Sequence, residues 1–132
     1  MEQVVPIETS VGILSGRDCI HLDTVIQDTS KNMMVFAGDI NGPLVSRAID
    51  WMSYKLTFIQ VLAYFCCELD TYENLVKTTS CSSFVLMENS AWLETLPIKY
   101  DFDKSAYKHY RLFTYDDVYD VIATGYELEI NS

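Results

Sequence analysis

The sequence predicts a mainly β domain, an antiparallel sheet or β-sandwich with one or two short helices, and three observations lead there. Val, Ile, Thr, Tyr, Phe and Trp number 48, against 43 for Ala, Leu, Met, Glu, Lys, Gln and Arg, and branched or aromatic side chains suit a pleated, half-buried surface. Several segments alternate polar and apolar residues at period two, as a strand with one face in a core does. Turn clusters separate these segments, and no repeat, low-complexity tract or proline-rich linker divides the chain. A length of 132 residues, 49% of them hydrophobic, suits one domain spanning residues 1–132, with a core that needs no disulfide or metal staple.

Gly12, Gly16 and Arg17-Asp18 punctuate an early loop. Residues 19–26 then alternate as a strand with Ile20 and Leu22 inward, Asp28 to Asn32 make a turn, and residues 33–37 return as the second arm of a hairpin. Gly38-Asp39-Ile40-Asn41-Gly42-Pro43 reads as a strong turn, because Asn-Gly tolerates positive φ and proline stops a ladder. Residues 44–52 are open between a helical stripe and an extended segment. Tyr54, Leu56 and Phe58 alternate with Lys55 and Thr57, and a continuous apolar run reaches Cys67. This stretch reads as two strands, or one bent strand, at the buried centre of a sheet.

Glu68 to Asn74 ends that stretch as a loop or short helical turn, and residues 80–87 form a further strand. Asn89 or Ser90 caps a short helix ended by Pro97, with Trp92, Leu93 and Leu96 against the sheet. Residues 99–105 read as a polar surface loop. Residues 114–124 admit a helix capped by Thr114 and ended by Gly125, or a hairpin turning at Asp116-Asp117. The hairpin is preferred because Val118 to Thr124 is rich in branched side chains and holds one Ala. The alternation from Tyr126 to Ile130 makes a last strand, whose Glu127 and Glu129 guard an edge.

The formal charge of −10 and pI of about 4.4 disfavour nucleic acid, whose phosphates call for clustered Lys and Arg. The apolar run at 61–67 is far shorter than the roughly 20 residues of a membrane helix, so it reads as core. Glu2, Pro6 and Glu8 stand where a secretory signal would carry basic and then apolar residues. Cys19, Cys66, Cys67 and Cys81 read as reduced thiols, because adjacent Cys66 and Cys67 on a strand point to opposite faces. Cytoplasmic location is the expectation.

Trp51, Tyr54, Leu56, Phe58 and Val61, together with His109, Asp116, Tyr119, Asp120, Ile122 and Ala123, form two phrases. They resemble patterns in small uncharacterised bacterial β-rich proteins, some cyanobacterial and some near toxin–immunity loci. The likeness covers about a third of the chain. It implies a bacterial cytoplasmic interaction protein and carries over no catalytic residues.

Cys19, His21 and Asp23 have the i, i+2, i+4 spacing that puts a thiolate, an imidazole and a carboxylate on one strand face, a reasonable zinc set. The same spacing suits a strand whose polar face is simply solvated, and that reading is preferred. His109 is the remaining imidazole, with nothing in the sequence to bring it near His21. No nucleophile elbow, CxxC, HExxH or phosphate loop appears, so no metal or other cofactor is expected. A Cys81–His109 pair is a weak alternative.

Acidity concentrates in the C-terminal half, where residues 67–132 hold 12 acids against 5 bases, beside Tyr107, Tyr110, Tyr115, Tyr119 and Tyr126. An acidic, tyrosine-bearing surface built from Tyr115, Asp116, Asp117, Tyr119 and Asp120 would steer and then anchor a basic protein partner. The leading expectation is therefore a non-enzymatic binding module, with a homodimer compatible. A small metal-dependent enzyme or small-ligand binder using Cys19, His21 and Asp23 is the alternative.

Overall fold

Burial along the strands follows the period set by the side chains. In β6 (Met52–Ile59) Met52, Tyr54, Leu56 and Phe58 are buried while the residues between them face outward, and β5 (Met33–Ile40) buries Met34, Phe36 and Ile40 in the same way. The computed structural model describes residues 1–45, 50–76, 82–97 and 103–131, without the side chains of 73–76. β4 (Ile20–Asp28) and β5 form the anticipated hairpin, with Asn32 at a φ of 56° in the turn. β11 (Gly125–Asn131) joins β6 to complete a four-stranded sheet in the order β11-β6-β5-β4. Glu127 and Glu129 are exposed on its edge, as a guarded edge requires.

A five-stranded antiparallel sheet takes the order β1 (Gln3–Pro6), β8 (Phe84–Glu88), β9 (Lys108–Phe113), β10 (Asp117–Ala123) and β7 (Ala63–Glu68). A small hairpin, β2 (Glu8–Thr9) with β3 (Gly12–Ile13), lies apart from both sheets. The inner faces of the two large sheets share one core, in which Phe36, Leu56 and Phe58 meet Phe84, Tyr110, Leu112 and Val121. Edge-to-face rings help to set this packing, with Phe36 and Tyr119 at 4.9 Å and Phe84 and Tyr126 at 5.1 Å between centroids. The fold is thus the mainly β sandwich with short helices that the composition indicates. Among the described residues no helix is long and apolar enough to cross a membrane.

Residues 114–124 belong to a hairpin and not a helix, as preferred, but the turn falls at Thr114 to Asp116 instead of Asp116-Asp117, and Asp117 begins β10. β9 and β10 are joined across Thr114 to Asp116, and the Asp117 amide donates to Thr114 Oγ1 at 3.0 Å. α3 (Ala91–Thr95) is capped by Ser90, whose Oγ accepts from the Leu93 amide at 3.1 Å. α2 (Leu69–Val76) occupies the stretch read as a loop or helical turn. Leu69 and Tyr72 of α2 pack on Val118 of β10, on the sheet face away from the core. A short helix, α1 (Gly42–Val45), and a 3-10 turn at Lys104–Ala106 complete the elements.

Two expectations are corrected. The run through Cys67 is not the buried centre of a sheet. The chain leaves the four-stranded sheet through Gln60 at a φ of 52° and enters the other as its edge strand, leaving Tyr64 and Phe65 45% and 46% exposed. Uniform hydrophobicity reports side-chain type and is blind to a strand's place in the sheet. Gly38 to Ile40 continue β5 instead of turning. Glycine is needed at 38 because a Cβ there would lie 2.0 Å from the His21 carbonyl oxygen, so the residue serves close strand approach. The ambiguous 46–49, Ser80 and Cys81 of the next strand, and most of the loop at 99–105 lie outside the described residues.

Candidate functional site

Hairpin register places three ionisable groups together. Arg111 stands directly opposite Asp120, and His109 faces Ile122, one diagonal step away. Alternation turns His109, Arg111 and Asp120 to the outer face of the five-stranded sheet, where cross-strand and diagonal side chains are within reach. Val85, Met87, Val118 and Ile122 share that face, so the charges sit in an apolar setting: His109 is 3%, Arg111 7% and Asp120 6% exposed.

Burial alone would raise the Asp120 pKa, but hydrogen bonding from His109 and the charge and hydrogen bond of Arg111 outweigh it, and the carboxyl is held below its ordinary value. Asp120 Oδ1 accepts from His109 Nε2 at 2.6 Å and from Arg111 Nε at 2.8 Å, and Oδ2 accepts from the Tyr72 hydroxyl at 3.2 Å. A carboxylate only accepts, so His109 Nε2 carries a proton, and the tautomer with a single ring proton has its lone pair on Nδ1. Ser90 Oγ lies 2.7 Å from Nδ1, so in that tautomer the hydroxyl donates to the ring nitrogen. Burial, then the Asp120 charge, raises the Tyr72 pKa and keeps its hydroxyl a donor.

An open cleft of about 500 Å³ lies over this network, lined by Glu2, Tyr64, Phe65, Tyr72, Trp92 and the three ionisable groups. Trp92 of α3 meets the His109 ring edge-on at 5.3 Å, and the Arg111 guanidinium carbon lies 5.2 Å from the Tyr72 ring centroid. Glu2 Oε2 accepts the Ala91 amide and ties the N-terminal segment to α3. Arg111 spends Nε on Asp120, while its two terminal nitrogens have no acceptor among the described residues and are not sealed from the cleft. Up to four guanidinium N–H donors thus remain for whatever occupies the cleft.

The sequence-predicted residues fall elsewhere or separate. Tyr115 and Asp116 are exposed in the β9–β10 turn and Asp117 is half-buried beside them. Burial, Asp116 and Glu68 raise the Asp117 carboxyl. Tyr119 points into the inter-sheet core and Asp120 lies under the cleft, so neither belongs to the acidic surface assigned to it. Strand alternation sends neighbouring residues of β10 to opposite faces.

Cys19 is fully buried in the core, and burial pushes its thiol up. His21 stacks on Tyr115 at 5.0 Å and meets the edge of Trp51 at 5.0 Å. Asp23 sits at a bulge between Leu22 and Thr24, where the extra residue breaks the shared face that the spacing promised. Among the described residues no group of three or more His, Cys, Asp or Glu is placed to hold a metal. Cys81, the proposed partner of His109, lies outside the described residues.

The Ser90–His109–Asp120–Arg111 network went unrecognised in the sequence. Its signal was polar residues at positions 109, 111 and 120 within apolar strands, which the hairpin brings to one sheet face. No family model matches the chain, and neither a curated protein nor a solved structure matches it.

Proposed function

We propose that the chain is a ligand-binding domain whose cleft takes a small planar molecule bearing a carboxylate. The observation that carries this reading is the buried Arg111 guanidinium, held by Asp120 yet with its terminal nitrogens unpaired at the floor of an aromatic-walled cleft. Guanidinium binds carboxylate through two parallel hydrogen bonds, and Tyr64, Phe65, Tyr72 and Trp92 supply apolar walls for a flat ring. With a chain charge of −10, the long-range field repels anions, so affinity comes from these short-range contacts and holds or rises slightly as salt screens the repulsion.

Calorimetric titration with 2-naphthoate and with 2-naphthamide tests the proposal. A charge-assisted contact contributes about 1.5–3 kcal/mol, so the acid should bind roughly 10–150-fold more tightly than the amide, and R111K should erase most of the difference. Equal binding of acid and amide, or no effect of R111K on a folded protein, would overturn it.

The protein-partner reading is favoured by a separate observation. Tyr115 stacks on His21, which meets Trp51 edge-on, Arg17 lies over the Tyr115 ring at 5.5 Å, and Trp51 and Tyr115 are 50% and 41% exposed. Such residues anchor protein interfaces, and Asp116 and Asp117 alongside suit a basic protein. That association should weaken as ionic strength rises, opposite to the cleft ligand. The free thiols of Cys19, Cys66 and Cys67 suit a reducing compartment, which supports a proposed cytoplasmic location.

A further inference from the structure

We infer that Ser90 is a nucleophile activated by His109, and that the chain transfers small acyl groups from esters to water at this residue. The inference shares His109 and Asp120 with the ligand cleft but does not depend on what the cleft binds. Ser90 Oγ, the imidazole and the Asp120 carboxylate form a continuous relay with contacts of 2.7 and 2.6 Å. This is the nucleophile, base and orienting carboxylate arrangement that activates a serine, recognised by geometry and not by chain order. Here Nδ1 faces the serine and Nε2 the carboxylate.

Local structure fixes the nucleophile. β8 ends at Glu88, Asn89 turns the chain at a φ of 55°, and Ser90 caps α3. The Leu93 amide holds the Oγ position through one lone pair, which leaves the hydroxyl proton to point at His109 Nδ1 and a second lone pair free. A second hollow of about 380 Å³ reaches Ser90 and His109, with Leu86, Met87, Leu93 and Lys108 among its walls. That space suits a short acyl chain, and Glu88 and Glu94 border it as well as Lys108.

In the first step the Ser90 Oγ–carbonyl carbon bond forms as the hydroxyl proton passes to His109 Nδ1, and the imidazolium is held by Asp120 through Nε2. The carbon–oxygen bond to the leaving group then breaks, and the Nδ1 proton goes to the departing alkoxide. Water, deprotonated by Nδ1, next attacks the acyl-serine. The Oγ–carbon bond breaks, Oγ regains a proton and a carboxylic acid leaves.

Treatment of the full chain with an alkyl fluorophosphonate, read by intact mass and peptide mapping, tests this. The folded protein should carry one phosphonyl group on Ser90 with loss of fluoride, while urea-denatured protein should lose that selectivity. S90A should take no label at residue 90. H109Q, which can retain both hydrogen bonds, should label about 10²–10⁴-fold more slowly, the usual contribution of a positioned base. An unlabelled Ser90 in the folded wild-type chain, or H109Q labelling at the wild-type rate, would overturn the assignment. Failure of R111K to alter naphthoate binding would leave it standing.

Discussion

Replacing Asp120 by Asn probes the buried network with the smallest change of shape. The side chain remains a hydrogen-bond acceptor, but the Arg111 guanidinium, 7% exposed, loses its counter-charge in an apolar setting. Breaking one partner of a buried pair costs about 3–5 kcal/mol because the remaining ion is uncompensated, a large share of a typical stability of about 5–15 kcal/mol. At an unfolding entropy of about 2.1 cal/mol/K per residue, a chain of this length should lose roughly 11–18 °C in Tm. The double variant R111M/D120N removes both charges and should recover most of that loss, since the penalty lies in the orphaned charge and not in the missing contact. Thermal and urea denaturation of the wild type, both single variants and the double variant complete the cycle. A D120N loss below about 1 kcal/mol, the level of an exposed pair, would refute the reasoning, as would a double variant no more stable than D120N.

Acid sensitivity follows from the same group. The Asp120 carboxyl is held below its ordinary value of 3.8, so its stabilisation is complete above that pH and is lost as pH falls through the lower folded value. The wild-type minus D120N stability difference should therefore shrink below about pH 4 in urea titrations, and a difference that instead grows on acidification would contradict the sign. Ser90→Ala removes the cap of α3 and the donor to His109 Nδ1, and should cost about 1–3 kcal/mol by the shift in urea midpoint. Gly38→Ala should cost roughly 1–3 kcal/mol, because its Cβ would collide with the His21 carbonyl and force β4 from β5. Unchanged stability would show that the strands separate freely there.

Where one strand face meets the core and the other meets water, residue alternation reveals both element and orientation, as in β6 and β11. The cap at Ser90 and the β9–β10 hairpin were legible for equally local reasons, a helix-capping side chain and a branched-residue segment. β7 was misplaced because Tyr64, Phe65 and Cys66 are apolar wherever they lie, and their edge position depends on the whole sheet order. Gly38 signalled a turn by type but serves strand proximity, which only the bulged β4 opposite it creates.

The buried network depends on the exact register of the β9–β10 hairpin. A two-residue turn at Asp116-Asp117 would set Arg111 opposite Ile122, whereas the observed turn at Thr114 to Asp116 shifts the register and sets Arg111 opposite Asp120, so the buried ion pair depends on a register that residue type alone does not fix. Ser90 joins through the packing of α3, a long-range fact with no sequence spacing to announce it. The metal-like Cys19, His21 and Asp23 failed conversely, since ideal alternation does not survive a bulge.

Nuclear magnetic resonance of the Arg111 side chain is the most direct test that its free nitrogens receive a ligand carboxylate. On addition of 2-naphthoate, the terminal guanidinium proton and nitrogen signals should shift in a saturable manner together with the Trp92 indole, and their exchange with water should slow. If the naphthoate-induced shifts instead cluster on Trp51 and Tyr115, or Arg111 stays unmoved while ligand binds, the cleft is not the recognition site.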